Sequence, residues 1–149
     1  QLHVKDKVAQ VDDKTFFVDT GSPHLCRFIE NIESFDVYEE GRTLRYSSLV
    51  STDGANINFI QMLNDGIFVR TYERGVENET LSCGTGVVAS ALSFVVYQNA
   101  KNNQTISVFT RGGSFKVEYK KEQDFFENIW LTGPVSYVFS GTYAIKKNR

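Results

Sequence analysis

The apolar positions of this chain follow two rhythms. Most segments alternate apolar and polar residues, the period of a half-buried strand. "HVKDKVAQVD" (3–12) alternates in part, and "TFFVDTG" (15–21) is a β-rich run that stops at Gly21. "HLCRFIE" (24–30) follows the turn "GSP" and reads as a third strand. "ANINFIQML" (55–63) and "GIFVRTYERG" (66–75) flank the tight turn "NDG" and predict a hairpin. "TISVFTRGGSFKVEYKK" (105–121) predicts another around Gly112 and Gly113. "NIWLTGPVSYVFSGTYAI" (128–145) predicts two last strands broken at "TGP".

Two segments keep the other rhythm. "SFDVYEEGRTLRYSS" (34–48) places Val37 and Leu44 at helical spacing, with Asp36 or Ser34 as cap, although Gly41 weakens the helix. The second predicted helix runs from about Gly84 to Asn99 and is strongly apolar over the eleven residues Val87–Tyr97. A membrane span needs about 20 mostly apolar residues. A shorter helix, apolar on nearly all sides, belongs inside a core. With about eight strands and two helices the fold class is α+β, a curved, mostly antiparallel sheet wrapped around the central apolar helix.

Composition narrows the function classes. The 149 residues suit one domain, and 41% hydrophobic with 23% charged residues is ordinary for a globular protein. A net charge of −2 without a long basic run argues against nucleic acid, and the closing "KKNR" reads as a solvated tail. Cys26 and Cys83 are too few for a disulfide framework, although one bridge between them stays open. No Cys/His spacing suggests a metal. The opening "QLHVKDKVAQVDDK" is too polar for a signal peptide, and it starts at Gln1 rather than Met, which reads as a trimmed or partial chain.

The candidate chemistry gathers around "ETLSCGTGVVASALSFVV" (79–96). Cys83 stands directly before Gly84-Thr85-Gly86 at the head of the apolar helix. A helix N-terminus offers unpaired amides and partial positive charge, which favour a thiolate and an incoming carboxylate. The same tetrapeptide also fits a buried cysteine before a helix cap. Upstream, Glu73 and Arg74 in "YERGVENET" suit an ammonium and a carboxylate, or equally a solvated strand end. His24, after Gly-Ser-Pro, suits acid–base work or a structural role. Asn56 and Asn58 in "GANINF" alternate into a strand, where an inward amide can hold a polar ligand.

Together these blocks resemble the diaminopimelate epimerase family. "YERGVENETLSCGTGVVASAL", the upstream "GSPH", the intervening "NINF" and the late "LTGPVSYVFSGTY" occur in that family's order and cover essentially the whole chain. The resemblance implies a cofactor-independent isomerase that interconverts L,L- and meso-diaminopimelate in lysine and cell-wall precursor biosynthesis, in the cytoplasm. It implies two similar half-barrel domains, with the active site between them and one cysteine from each on opposite faces of the substrate α-carbon.

Residue by residue, Cys83 matches the catalytic cysteine of the second domain. Gly84 and Thr85 match the residues whose amides bind the α-carboxylate. Glu73 and Arg74 match the pair beside the substrate ammonium and the distal carboxylate. His24 matches the histidine of the family's Gly-Asn-Pro-His turn, and Asn56 an asparagine at the distal end. Ser22 stands where the family usually has Asn. Nothing matches the first-domain cysteine motif, and Cys26 reads as a bystander. Residues 1–149 therefore resemble the second domain alone, whose partner would be a first domain absent from this chain. A homodimer, a proline-racemase or phenazine-type isomerase, and a non-catalytic binding module of the same fold stay open as alternatives.

Overall fold

In the computed structural model, residues 1–4, 6–100 and 105–144 are described. Nine strands and two helices lie among them: β1 Ala9–Asp12, β2 Thr15–Asp19, β3 Pro23–Phe28, α1 Val37–Arg45, β4 Asn56–Leu63, β5 Gly66–Glu73, β6 Asn78–Thr80, α2 Gly84–Tyr97, β7 Thr105–Thr110, β8 Gly113–Glu122 and β9 Phe125–Thr132. The strands form one sheet in the order β1-β2-β3-β4-β5-β7-β8-β9, with β6 paired to β5. Two joins are parallel, β3 to β4 and β5 to β7, and each pair is separated in sequence by a helix. Parallel neighbours need such a crossover, whereas the antiparallel joins need only turns.

The sheet curls around α2, which touches β2, β3, β4, β5, β7, β8 and β9. Its side chains are buried on every side from Gly86 to Leu92. Valine is a poor helix former by at most about 0.7 kcal/mol. Burying one such side chain contributes about 1.5–3 kcal/mol. Packing therefore overrides propensity at Val87, Val88 and Val95. The stacked Phe28 and Tyr97 rings, 4.3 Å apart, anchor the far end of the helix. No helix of the described residues is long and apolar enough to cross a membrane.

α1 packs on the opposite face. Its Val37 and Leu44 meet Leu25, Ile57, Phe59 and Tyr72, which alternate with the residues facing α2. Asp36 caps it by accepting the Glu39 amide. Gly41, a weakness on propensity alone, lets the helix lie close: an added Cβ would sit 2.4 Å from the Tyr72 Cβ.

Several expectations need correction. The loop foreseen across "VENETLSCGTG" contains the short strand β6. The first predicted strand begins only at Ala9, with Leu2 bridging separately to Ile129 and Lys5 outside the described residues. Of the two closing strands only β9 forms. Residues 133–144 carry no regular structure and lie exposed, because no strand of the sheet pairs with their backbone. Ile145 and the basic end 146–149 lie outside the described residues.

Candidate active site

Alternation brings the candidate residues to one end of one sheet face. His24 is the second residue of β3, Asn56 opens β4 and Glu73 closes β5, and parallel pairing sets His24 beside Asn56. Residues two apart share a face, so His24 lies with Cys26, Asn56 with Asn58, and Glu73 with Thr71. Cys26 belongs to the core around α2, which identifies the face. The N-terminus of α2 reaches the same end, where an added Cβ on Gly86 would lie 2.4 Å from the Asn58 Oδ1 and 3.3 Å from the Cys83 Cβ.

Cys83 occupies the N-cap position with extended backbone, φ −121° and ψ 111°. Its carbonyl accepts the Val87 amide, the first bond of the helix. The amides of the first turn therefore have no acceptor within the helix, and no acidic side chain lies in that turn. The thiol is half-buried and lies 3.4 Å from the Thr85 hydroxyl. The thiol and the helix-start amides thus share one turn.

Cys26 differs. It is fully buried, and burial pushes its thiol up to about 11, against the opposing pull of the Ser93 and Ser90 hydroxyls and the Asn58 amide. It stays protonated at neutral pH. Both cysteines are free thiols, so the bridge left open by the sequence is not formed.

Asn56 joins two of the other candidates, Ser22 and Arg74. Its Nδ2 donates to the Ser22 hydroxyl at 2.9 Å and the Pro23 carbonyl at 3.3 Å, and its Oδ1 accepts the Arg74 amide at 2.9 Å. Ser22 therefore serves as an acceptor for the Asn56 amide. Arg74 is half-buried, and its Nη1 donates to the Gly54 carbonyl at 3.5 Å. The turn after Glu73 is held by Glu77, which takes the Gly75 amide and the Tyr46 and Tyr72 hydroxyls and meets Arg45. The Gly75 amide, ahead of Arg45, holds the Glu77 carboxyl below its usual range. Sequence reasoning passed over Glu77, since nothing about one more acid in a polar loop singles it out.

His24 is fully buried. Burial brings its pKa from 6.5 down to about 4, with Asp19 opposing and Arg74 assisting, so the ring is neutral at pH 7. Its Nδ1 lies 3.1 Å from the Asn58 Nδ2, and its Nε2 is buried without a hydrogen-bond partner among the described residues. Asn58 was read only as an inward amide. In the fold it lies between His24 and the first turn of α2.

The family model described as diaminopimelate epimerase matches residues 16–138. A diaminopimelate epimerase from Flavobacterium psychrophilum is 43% identical over 133 residues, covering 89% of this chain and 52% of that protein. One from Chlorobaculum tepidum is 39% identical, covering 87% and 49%. The chain thus spans about half the length of the curated relatives it matches. Among solved structures, a putative phenazine biosynthesis PhzC/PhzF protein from Clostridium difficile aligns with a TM-score of 0.51 at 14% identity, over 78% of this chain and 39% of that one. A predicted epimerase from Pseudomonas aeruginosa aligns at 0.51 and 13%, over 70% and 36%. Those two share the fold. Sequence and architecture converge, and the chain belongs to the diaminopimelate epimerase family.

Proposed function

We propose that this chain is the second catalytic domain of a cofactor-independent epimerase that interconverts L,L- and meso-diaminopimelate, and that it supplies one of two catalytic thiols. The observation that carries the reading is the half-buried Cys83 at the head of α2, beside unpaired helix amides and on the sheet end that bears His24, Glu73 and Arg74. In this reading the α-carboxylate sits on the amides of Gly84 and Thr85. Arg74 takes the distal carboxylate, near Asn56 and Ser22, and Glu73 lies close to the ammonium. The Cys83 thiolate takes the α-proton from one face, and a thiol of the companion domain gives a proton to the other, so one proton leaves as one arrives. The reverse turnover exchanges the roles. Carbanion character at Cα is stabilised by preorganised amides in a site closed to water. The place of action is the cytoplasm, where lysine and cell-wall precursors are made.

Two further observations support a companion domain. The chain matches about half of each relative, and the exposed segment after β9 carries Val135, Tyr137, Val138, Phe139 and Tyr143, each more than 80% exposed. An apolar run of that kind suits a surface that another domain covers.

The test is deuterium incorporation at the α-carbon of diaminopimelate in heavy water. The chain alone is expected to give none. Mixing with the first domain of a full-length relative is expected to give exchange, which Cys83→Ser lowers by about 10²–10⁴-fold. Turnover by the chain alone, or unaltered exchange in Cys83→Ser, rejects the reading.

A further inference from the structure

The polar cluster beneath the thiol loop has a defined direction. Asn58 is fully buried on β4. Its Nδ2 lies 3.5 Å from the Leu25 carbonyl, an atom that only accepts, and 3.6 Å from the Cys26 sulfur. Its Oδ1 receives the Thr71 hydroxyl at 2.9 Å. The carbonyl settles which end of the amide is nitrogen, and Thr71 is then the donor to the other end. The amide nitrogen facing the His24 Nδ1 at 3.1 Å must donate, so Nδ1 must be the bare, accepting nitrogen. The ring proton of a neutral histidine then sits on Nε2, the atom that is buried and has no partner among the described residues.

We infer that Asn58 is a positioning residue which, with Thr71 behind it, locks His24 as the Nε2–H tautomer and keeps that N–H as a reserved donor for an anionic acceptor bound at the site. The same amide oxygen backs the first turn of α2, where Gly86 leaves it room. One side chain thus sets both the histidine and the seat of the thiol. Protonating Nδ1 would turn two donors on each other, so the arrangement opposes the imidazolium by geometry. The importance of that donor for turnover rests on the epimerase reading, whereas the tautomer does not.

The experiment is long-range proton–nitrogen correlation spectroscopy on the intact chain at neutral pH. Only His3 and His24 contribute, and His3→Gln assigns them. The wild type is expected to show His24 with a bare Nδ1 and a protonated Nε2. Asn58→Asp, of nearly equal size, is expected to draw the proton to Nδ1. Asn58→Leu and Thr71→Val are expected to give mixed tautomers. A wild-type Nδ1–H form, or an unaltered tautomer in a folded Asn58→Leu variant, overturns the inference. The wild-type spectrum decides even if the variants fail to fold. In the assembled enzyme, Asn58→Asp is expected to lower kcat about 10²-fold with KM little changed. A shifted tautomer with normal kcat removes the catalytic part. Absence of turnover in the assembled wild type counts against the epimerase reading, and the tautomer still stands or falls on the spectra.

Discussion

His24 shows how a single side chain ties stability to chemistry. In the unfolded chain its ring takes up a proton near pH 6.5, and in the fold only near about 4. As pH falls through that window the unfolded state gains a proton that the native state refuses. Native stability is therefore full above about 6.5, declines toward about 4, and declines no further on this account below it. A shift of this size corresponds to roughly 3 kcal/mol. Urea unfolding at a series of pH values is expected to show the decline, with a flatter profile between pH 6.5 and 5 in His24→Gln. The depressed carboxyls of Asp12 and Glu77 start from 3.8 and 4.5, so their acid losses fall below that upper range. An equal slope in both proteins would mean that His24 is not held neutral.

The helix α2 is the element on which the site depends, and its two leading glycines have different duties. At Gly86 an added Cβ would stand 2.4 Å from the Oδ1 of Asn58, a fully buried side chain that Thr71 holds in place. At Gly84 the nearest atom is the Leu131 Cδ2 at 3.5 Å, an ordinary contact. Gly86→Ala is expected to lose about 1–3 kcal/mol by overpacking. Gly84→Ala is expected to be neutral or slightly stabilising, since alanine is the better helix former by up to about 1 kcal/mol. Denaturation midpoints of the pair check this, and equal effects would contradict the close approach of β4 to the helix. The element scale also explains why Arg70 is buried. It meets Glu79 through two nitrogens, at 2.6 and 2.7 Å, and donates to the carbonyls of Ile32 and Phe35, which ties β5, β6 and the loop before α1 into one wall.

Across the whole molecule the question is which parts the core requires. The last buried residue is Ile129 on β9, and the described residues beyond β9, 133–144, include none. Deleting residues from Val135 onward is expected to alter the unfolding free energy by less than about 0.5 kcal/mol, the range of surface changes. The same deletion is expected to abolish exchange regained with the companion domain. A large loss of stability would show that the segment belongs to this core. Retained exchange would remove it from the interface.

Local pattern carried much of this fold. Period-two runs, the "NDG" and "RGG" turns and the Asp36 cap are short-range signals whose physics acts within a few residues, and both helices were legible with their bounds nearly right. The short β6 was not, because three polar residues have no pattern of their own and pair only once β5 is present. The last strand was foreseen and is absent, because alternation creates a strand only where a partner edge exists. The site divides in the same way. Cys83, Glu73, Arg74, His24 and Asn56 stood out as candidates from residue type and motif, which set what each can do. That His24 is neutral, that Cys26 stays protonated while Cys83 reaches the surface, and that Asn58 lies between histidine and helix depended on burial and on strands far apart in sequence meeting in one register. The chain by itself determined its element types and its family membership through local backbone preferences and side-chain motifs, whereas tertiary structure alone decided protonation, exposure and partnership, since each is a property of neighbours that sequence order does not supply.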